Sequence, residues 1–195
     1  MKKKHVLLAV ACGLLVFLPL LGVTYAAFTD KGTLAGSTFN VGSGDLKILN
    51  NPALGIELSN LVDEKPGPTF SNINPNWHQD YGLKLYNNAS SPLGIFSNAN
   101  YATANDPDEL RSIIYVEIFV WTDANSDGII QESEIGASKG NKTITKWKTE
   151  GIDLGTIGTG ELKSYVLRFY TLASFPDSKQ GKSGIFDFEF NAIGQ

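Results

Sequence analysis

The residues with the clearest chemical spacing are oxygen-bearing side chains at alternate positions of the stretch 123–134. This stretch fits the twelve-residue calcium-loop pattern D-x-[DN]-x-[DN]-G-x5-E in full. Oxygen ligands at alternate positions point inward around a hard cation, and Gly128 allows the sharp turn that such a loop makes. The pattern therefore predicts a Ca²⁺ site with these ligands: Asp123, Asn125, Asp127, the Ile129 carbonyl, Gln131 and Glu134.

The sequence before this loop excludes one kind of calcium site and leaves two interpretations of the loop. A predicted strand at 113–121 precedes it, so the helix-loop-helix arrangement of a calcium sensor does not fit. Gln131 would bind the ion directly or through water, and Glu134 would close the site with both oxygens. The first interpretation is a calcium loop grafted between strands, and the second is an acidic hairpin turn that binds nothing.

Catalytic combinations are scarce after residue 26. That part of the sequence has no Cys and no H-E-x-x-H, and its single histidine, His78, lies in a polar stretch predicted as a loop. One histidine cannot build a histidine-based zinc site, and no G-x-S-x-G accompanies it. We therefore expect a protein that is not an enzyme.

The first 26 residues have the layout of a secretory signal peptide. Three lysines at positions 2–4 precede an apolar run at 5–23, and small residues follow around Ala26. This layout predicts export, with cleavage by signal peptidase after Ala26 and a secreted or cell-surface product. The alternatives are a retained transmembrane anchor, because the run approaches the length that spans a bilayer, and a lipoprotein modified at Cys12.

Removal of the leader makes the chain more acidic. Thirteen lysines and arginines then face 20 aspartates and glutamates, a formal charge of −7. No basic patch remains that would indicate a nucleic-acid partner. The only cysteine is in the leader, so the exported domain is expected to hold together by core packing without disulfides.

The pattern after the leader is that of an all-β protein. Phe186, Phe188 and Phe190 alternate with polar residues, as on a half-buried strand. One helical turn is expected at 106–111, and 144–150 is ambiguous. Many short strands separated by Gly, Asn and Pro turns indicate a β-sandwich or jelly roll without a division into two domains. Strands are predicted at 45–49, 56–61, 81–86, 93–97, 112–122, 162–172 and 184–192.

Two asparagines and three tryptophans are further features of the sequence. Asn88 and Asn141 begin N-x-S/T acceptor sequences for glycosylation, which also arise by chance. Trp77, Trp121 and Trp147 are expected as aromatic residues of the core and sheet edges.

Several segments together resemble the TasA/camelysin family. Individually each motif is modest, but their order along the chain adds specificity, and the likeness covers most of residues 20–195. The calcium-like loop at 123–134 and the stretch 98–108 are not part of the family pattern and are expected to be insertions. The segments are YAAFTD at 25–30, GSTFNVGSGDLKI at 36–48, ELSNL at 57–61 followed by PG at 66–67, 81–91, KQG at 179–181 and FDFEFNA at 186–192.

The resemblance implies a secreted jelly-roll-like antiparallel β-sandwich that assembles into extracellular fibres of a biofilm matrix. Archaeal bundling pili are similar. In this family the N-terminal strand of one subunit is donated to the next, so the implied partner is another copy of the chain, joined head to tail. An accessory or anchoring fibre protein is a further expected partner. The alternatives are a camelysin-like surface metalloprotease and a monomeric calcium-stabilised adhesin.

The donor segment is expected at residues 27–40, ahead of a sandwich domain at 41–195. Phe28, Leu34 and Phe39 are the predicted apolar anchors, and residues 42–44 (Gly-Ser-Gly) are the predicted pivot. A sandwich that lacks one strand exposes an unpaired edge, which a neighbour's extended segment can fill. The alternative is an ordinary first strand that pairs within its own sheet.

Overall fold

The computed structural model describes residues 32–34, 37–41 and 45–194. The predicted signal peptide, the predicted anchor Phe28 and residues 42–44 lie outside these ranges. Strands make up 48% and helices 14% of the structure, which confirms an all-β fold. The elements are β1 (Gly32–Leu34), β2 (Thr38–Val41), β3 (Leu46–Leu49), β4 (Leu61–Val62), β5 (Glu64–Pro66), β6 (Phe70–Ile73), β7 (His78–Asn87), β8 (Leu93–Asn100), β9 (Tyr115–Trp121), β10 (Ile135–Thr143), α1 (Ile144–Glu150), β11 (Ile152–Ile157), β12 (Leu162–Tyr170), β13 (Ser183–Gly184) and β14 (Asp187–Gly194).

Two large sheets make up the sandwich. The six-stranded sheet has the order β10-β9-β12-β7-β3-β4, and the five-stranded sheet has the order β11-β8-β14-β2-β5. A small third sheet has the order β13-β1-β6. The pairings within both large sheets are antiparallel, except that β2 runs parallel to β14.

The core lies between the inner faces of the two large sheets. Leu83 and Leu85 on β7 are fully buried, as the alternation of that strand predicts. Phe186, Phe188 and Phe190 are also fully buried, which confirms their common face. The ring centroids of Phe169 on β12 and Phe188 on β14 are 5.3 Å apart, so the two inner faces are in direct contact.

Along both side edges of the sandwich, a short connection joins the edge strand of one sheet to the edge strand of the other. Along one edge β4 continues through Asp63 into β5. Along the other edge, helix α1 joins β10 to β11, and its Trp147 is fully buried with the indole N–H donating to Ser97 O at 3.0 Å. Among the described residues, no helix is long and apolar enough to cross a membrane.

The structure differs from the predicted strands mainly in one loop and at the edges. The expected strand at 56–61 is wrong for most of its length: residues Leu58–Asn60 form a 3-10 turn, and Leu58 is 88% exposed. Buried Asn60 imposes this turn because its side chain bonds Asn51 N, Asn51 O and Gly55 O. The ambiguous stretch 144–150 is the helix α1.

Candidate functional site

The N-terminal strand β2 lies inside the five-stranded sheet and not at its edge. On one side it pairs in parallel with β14, where Phe39 is the register partner of Phe188. On the other side it pairs antiparallel with β5, where Phe39 is the register partner of Lys65. In the single chain, this part of the predicted donor segment therefore pairs within its own sheet. We call the position between β14 and β5 the strand slot.

Phe39 fills the apolar part of the strand slot. Its side chain is fully buried, and its ring centroid lies 5.0 Å from Tyr81, 5.3 Å from Phe188 and 6.0 Å from Phe190. Tyr81 belongs to the opposite sheet, so Phe39 also joins the two layers. Burial raises the pKa of the Tyr81 hydroxyl.

Polar groups hold β2 at both sides of the strand slot. The Thr38 amide and hydroxyl both donate to Asp187 Oδ1, at 3.2 and 2.5 Å. Next to the paired residues, Gly67 N donates to Ser37 O at 2.7 Å and Val41 N, at the end of β2, donates to Asp63 O at 3.0 Å. These contacts fix the register of β2 against both neighbouring strands.

Lys65 sits beside Phe39 without an ion-pair partner among the described residues. Its ammonium donates to Leu49 O at 3.2 Å and Asn50 O at 2.9 Å, and lies 5.6 Å from the Tyr81 ring centroid. Burial lowers the pKa of this lysine. Lys65 thereby ties the edge strand β5 to the end of β3 in the other sheet.

The predicted anchors have different positions. Phe39 is the one whose side chain is described, and it is buried in the chain's own core. Leu34 ends β1, where it is the register partner of Phe70 on β6 and Gly184 on β13. The predicted boundary between donor segment and sandwich falls within β2, because that strand ends at Val41.

The predicted calcium loop lies over the outer face of the six-stranded sheet. At its base, the Asp123 side chain is 2% exposed, and its Oδ2 accepts from Lys84 Nζ at 2.6 Å and from Gly128 N at 3.0 Å. Within the described part of the chain, Asp123 Oδ1 is buried and has no hydrogen-bond partner. Burial alone would raise the pKa of Asp123, but the bonds from Lys84 and Gly128 hold that pKa below its ordinary value.

A row of three register partners brings Lys84 to this carboxylate. Ser164 on β12 is the register partner of Trp121 on β9 and of Lys84 on β7. Because serine is small, the indole extends across it, and Lys84 Nζ lies 5.2 Å from the Trp121 ring centroid. The ring also reaches Gly82, where an added Cβ would lie 2.9 Å from the indole. Glycine at 82 therefore permits the close approach.

The other predicted ligands occupy the rim and the far end of the loop. Asp127 Oδ2 accepts from Asn125 Nδ2 at 2.8 Å and from Gln131 Nε2 at 3.4 Å. Glu134 is buried, and its two oxygens accept from Ala124 N and Trp121 Nε1, both at 3.1 Å. Ile129 presents its side chain to solvent.

The loop as it stands does not bring its carboxylates together. In the part of the chain that the structure describes, no three His, Cys, Asp or Glu side chains form a group that could hold a metal ion. The carboxylates of Asp127 and Glu134 bond to other groups instead. Calcium binding therefore stays a prediction at this point.

The remaining sequence features, a histidine, two acceptor asparagines and three tryptophans, differ in their exposure. His78 is exposed at the first position of β7, and not in a loop, beside a shallow depression lined by Trp77, Glu117 and Arg168. Both acceptor asparagines, Asn88 and Asn141, are exposed, as glycosylation would require. Trp121 and Trp147 are buried and Trp77 packs half-buried against the core, as expected.

Sequence reasoning missed two lysines that the structure places at these sites. Lys84 lies on the polar parity of an alternating strand, which indicates a solvent-facing side chain, yet it is 7% exposed because the loop covers it. Lys65 follows a charged pair in a short segment with no strand pattern. No local signal marks either residue as buried.

Comparison of the chain with models of protein families gives no match, and comparison with curated proteins gives none either.

Proposed function

We propose that the chain is a secreted structural subunit of jelly-roll type, which polymerises by N-terminal strand donation into extracellular fibres or pili of a biofilm matrix. The single observation that carries the proposal is the position of β2 between β14 and β5. An N-terminal strand in that position can be replaced by the same strand of another copy.

The strand slot has the properties that donation needs. Without β2, both β14 and β5 would present unpaired backbone groups, and the Phe39 pocket between Tyr81, Phe188 and Phe190 would be open. A neighbour's extended segment would restore the same backbone bonds and fill the same pocket. The exchange therefore exposes no new surface in the completed fibre.

The energetics of such an exchange are close to balanced. A donated strand makes the same contacts as the chain's own strand, so swapping conserves the pairing energy, and such swaps form oligomers at low cost. The residues after β2 are Gly42, Ser43 and Gly44, and glycine tolerates backbone angles that other residues avoid. The sequence thus offers a pivot at the point where the strand would leave its own sheet.

Head-to-tail donation leads to a filament rather than a closed oligomer. Each subunit gives one strand and accepts one, and such a contact, repeated without closure, produces an open fibre. Cleavage after Ala26 would free the segment that is donated, so export and assembly would be linked.

A disulfide lock tests the proposal in the chain itself. Asn40 on β2 and Glu64 on β5 are register partners in the antiparallel pair. The exported chain has no other cysteine, so Asn40→Cys with Glu64→Cys creates one defined bond. We expect the oxidised monomer to remain monomeric in electron micrographs and the reduced protein to form filaments.

The same variant distinguishes donation from ordinary association. Fibres assembled in the reduced state and then oxidised should give a ladder of covalent oligomers on a denaturing gel, because β2 and β5 would belong to different copies. Filaments that oxidise only to cross-linked monomers would contradict strand donation. A chain that starts at residue 42 provides a second test, since it should form no filaments by itself.

A further inference from the structure

The buried carboxylate of Asp123 has one oxygen that nothing in the described structure satisfies. Its side chain is 2% exposed, and Oδ1 is buried without a hydrogen-bond partner. A buried unpaired oxygen of an ionised group is costly, so native structures normally provide a partner for it. Lys84 and Gly128 N both bind Oδ2, which leaves Oδ1 for a different group.

Three further side chains that carry oxygen atoms lie together in the same loop. Asn125 and Gln131 both donate to Asp127 Oδ2, so these three side chains share one space. Oxygen is the ligand that hard cations take, and the alternate positions are those of a seven-ligand calcium loop. The orphaned oxygen and the loop pattern are independent observations that indicate the same ligand.

We propose that the loop 123–134 binds Ca²⁺, with Asp123 Oδ1 as its buried ligand and with the Lys84 ammonium as a positive charge held on the other oxygen of this carboxylate. Asn125, Asp127, the Ile129 carbonyl and Gln131 supply further oxygens. Glu134 completes the site by turning away from its present partners, Trp121 Nε1 and Ala124 N.

Lys84 gives this site a charge that ordinary calcium loops lack. Its ammonium lies 2.6 Å from Asp123 Oδ2 and repels a cation bound at Oδ1. The three carboxylates among the proposed ligands, those of Asp123, Asp127 and Glu134, and this lysine together carry a formal net charge of −2. We therefore expect weak binding, with a Kd of about 10⁻⁴–10⁻³ M, the range of extracellular calcium modules. Ca²⁺ should be preferred to Mg²⁺, because a site with six or seven protein oxygens suits the larger ion, whereas Mg²⁺ usually keeps several waters.

Calorimetric titration of the protein with CaCl₂ and with MgCl₂ tests the site. Asp127→Asn and Glu134→Gln should each weaken calcium binding about tenfold or more. Glu132→Gln is the matched control: it removes a carboxylate of the same loop at a non-ligand position, and that side chain is 83% exposed. Calcium binding that is undetectable at about 10⁻² M, or that is equally weakened by Glu132→Gln, would overturn the proposal.

Two further variants test the roles of Trp121 and Lys84: Trp121→Phe is followed by fluorescence, and Lys84→Met by calcium affinity. Calcium should change the fluorescence of Trp121 as Glu134 leaves its indole N–H, and Trp121→Phe should abolish that change while calcium still raises Tm. Lys84→Met should tighten calcium binding about tenfold or more, because the repulsion is gone. If only Lys84→Met binds calcium and the parent chain does not, Lys84 itself is the cation of this loop and the proposal is wrong.

Discussion

Phe39 on β2 and Phe188 on β14 are register partners on parallel strands, and their ring centroids are 5.3 Å apart. Most of the described chain lies between these two residues. Among the strands of the two large sheets, β2 comes first along the chain and β14 comes last, so the pairing joins the two ends of the sandwich sequence. In the proposed strand donation, this contact would be made between two copies instead of within one chain.

Truncation of Phe39 should damage the strand slot. Phe39→Ala removes a fully buried ring and should lower the free energy of unfolding by about 3–5 kcal/mol. Phe96→Ala is the matched control on β8 of the same sheet, because that ring is 37% exposed, and its loss should be about 1 kcal/mol. Urea unfolding of both variants measures the difference. Equal losses would mean that Phe39 does not fill the slot in solution.

Lys84 and Asp123 should behave as a coupled buried pair. In calcium-free buffer, Lys84→Met leaves an uncompensated buried carboxylate and should cost about 3–5 kcal/mol of unfolding free energy. Adding Asp123→Leu should recover a large part of this loss, because the unpaired charge is then removed as well. A double-mutant cycle by chemical unfolding measures the coupling, and simple additivity of the two changes would show that the pair is not formed.

Gly128 should tolerate no side chain. Its φ is +71°, and an added Cβ would lie 2.5 Å from Ala53 N. Gly128→Ala should therefore cost about 1–3 kcal/mol from backbone strain alone, with the steric contact in addition. Gly55→Ala serves as the control in the neighbouring loop, since an added Cβ there meets no atom within 4 Å. Thermal unfolding should separate the two variants clearly; similar Tm values would contradict the placement of the two loops.

Tyr165 should make the fold sensitive to alkali. Burial, aided by the negative charges of Glu161 and Asp153, raises the pKa of Tyr165 to about 12. This pKa is higher in the folded state than in the unfolded state, so the stabilising contribution of the neutral Tyr165 hydroxyl to the free energy of unfolding is fully present below pH 10. It is lost as the pH rises from about 10 to about 12, by about 2–3 kcal/mol. Tyr165→Phe should flatten the stability profile in that window, which urea unfolding at several pH values can follow; an unchanged slope would contradict a buried neutral hydroxyl.

The sequence predicted the strands whose two faces meet different environments. In β7, β12 and β14 apolar and polar residues alternate, because one face of each strand contacts the core and the other faces solvent or a covering loop. This alternation is visible within a few neighbouring residues. β10 was missed because it is an exposed edge strand with two register shifts and few apolar residues. β11 was missed because a bulge between Asp153 and Gly155 interrupts its alternation.

The calcium pattern at 123–134 and the likeness of the N-terminal region to a donated strand are properties of short stretches, so the sequence by itself determined them. Which strand lies beside β2, and what lies beneath Asp123, were decided by contacts between distant residues. Alternation states which face a side chain occupies, but it does not state which strand is the neighbour. The sequence therefore predicts a solvent-facing Lys84. In the folded protein the sheet aligns Lys84 with Ser164 and Trp121, and the loop that covers this row brings a buried carboxylate, that of Asp123, to its ammonium.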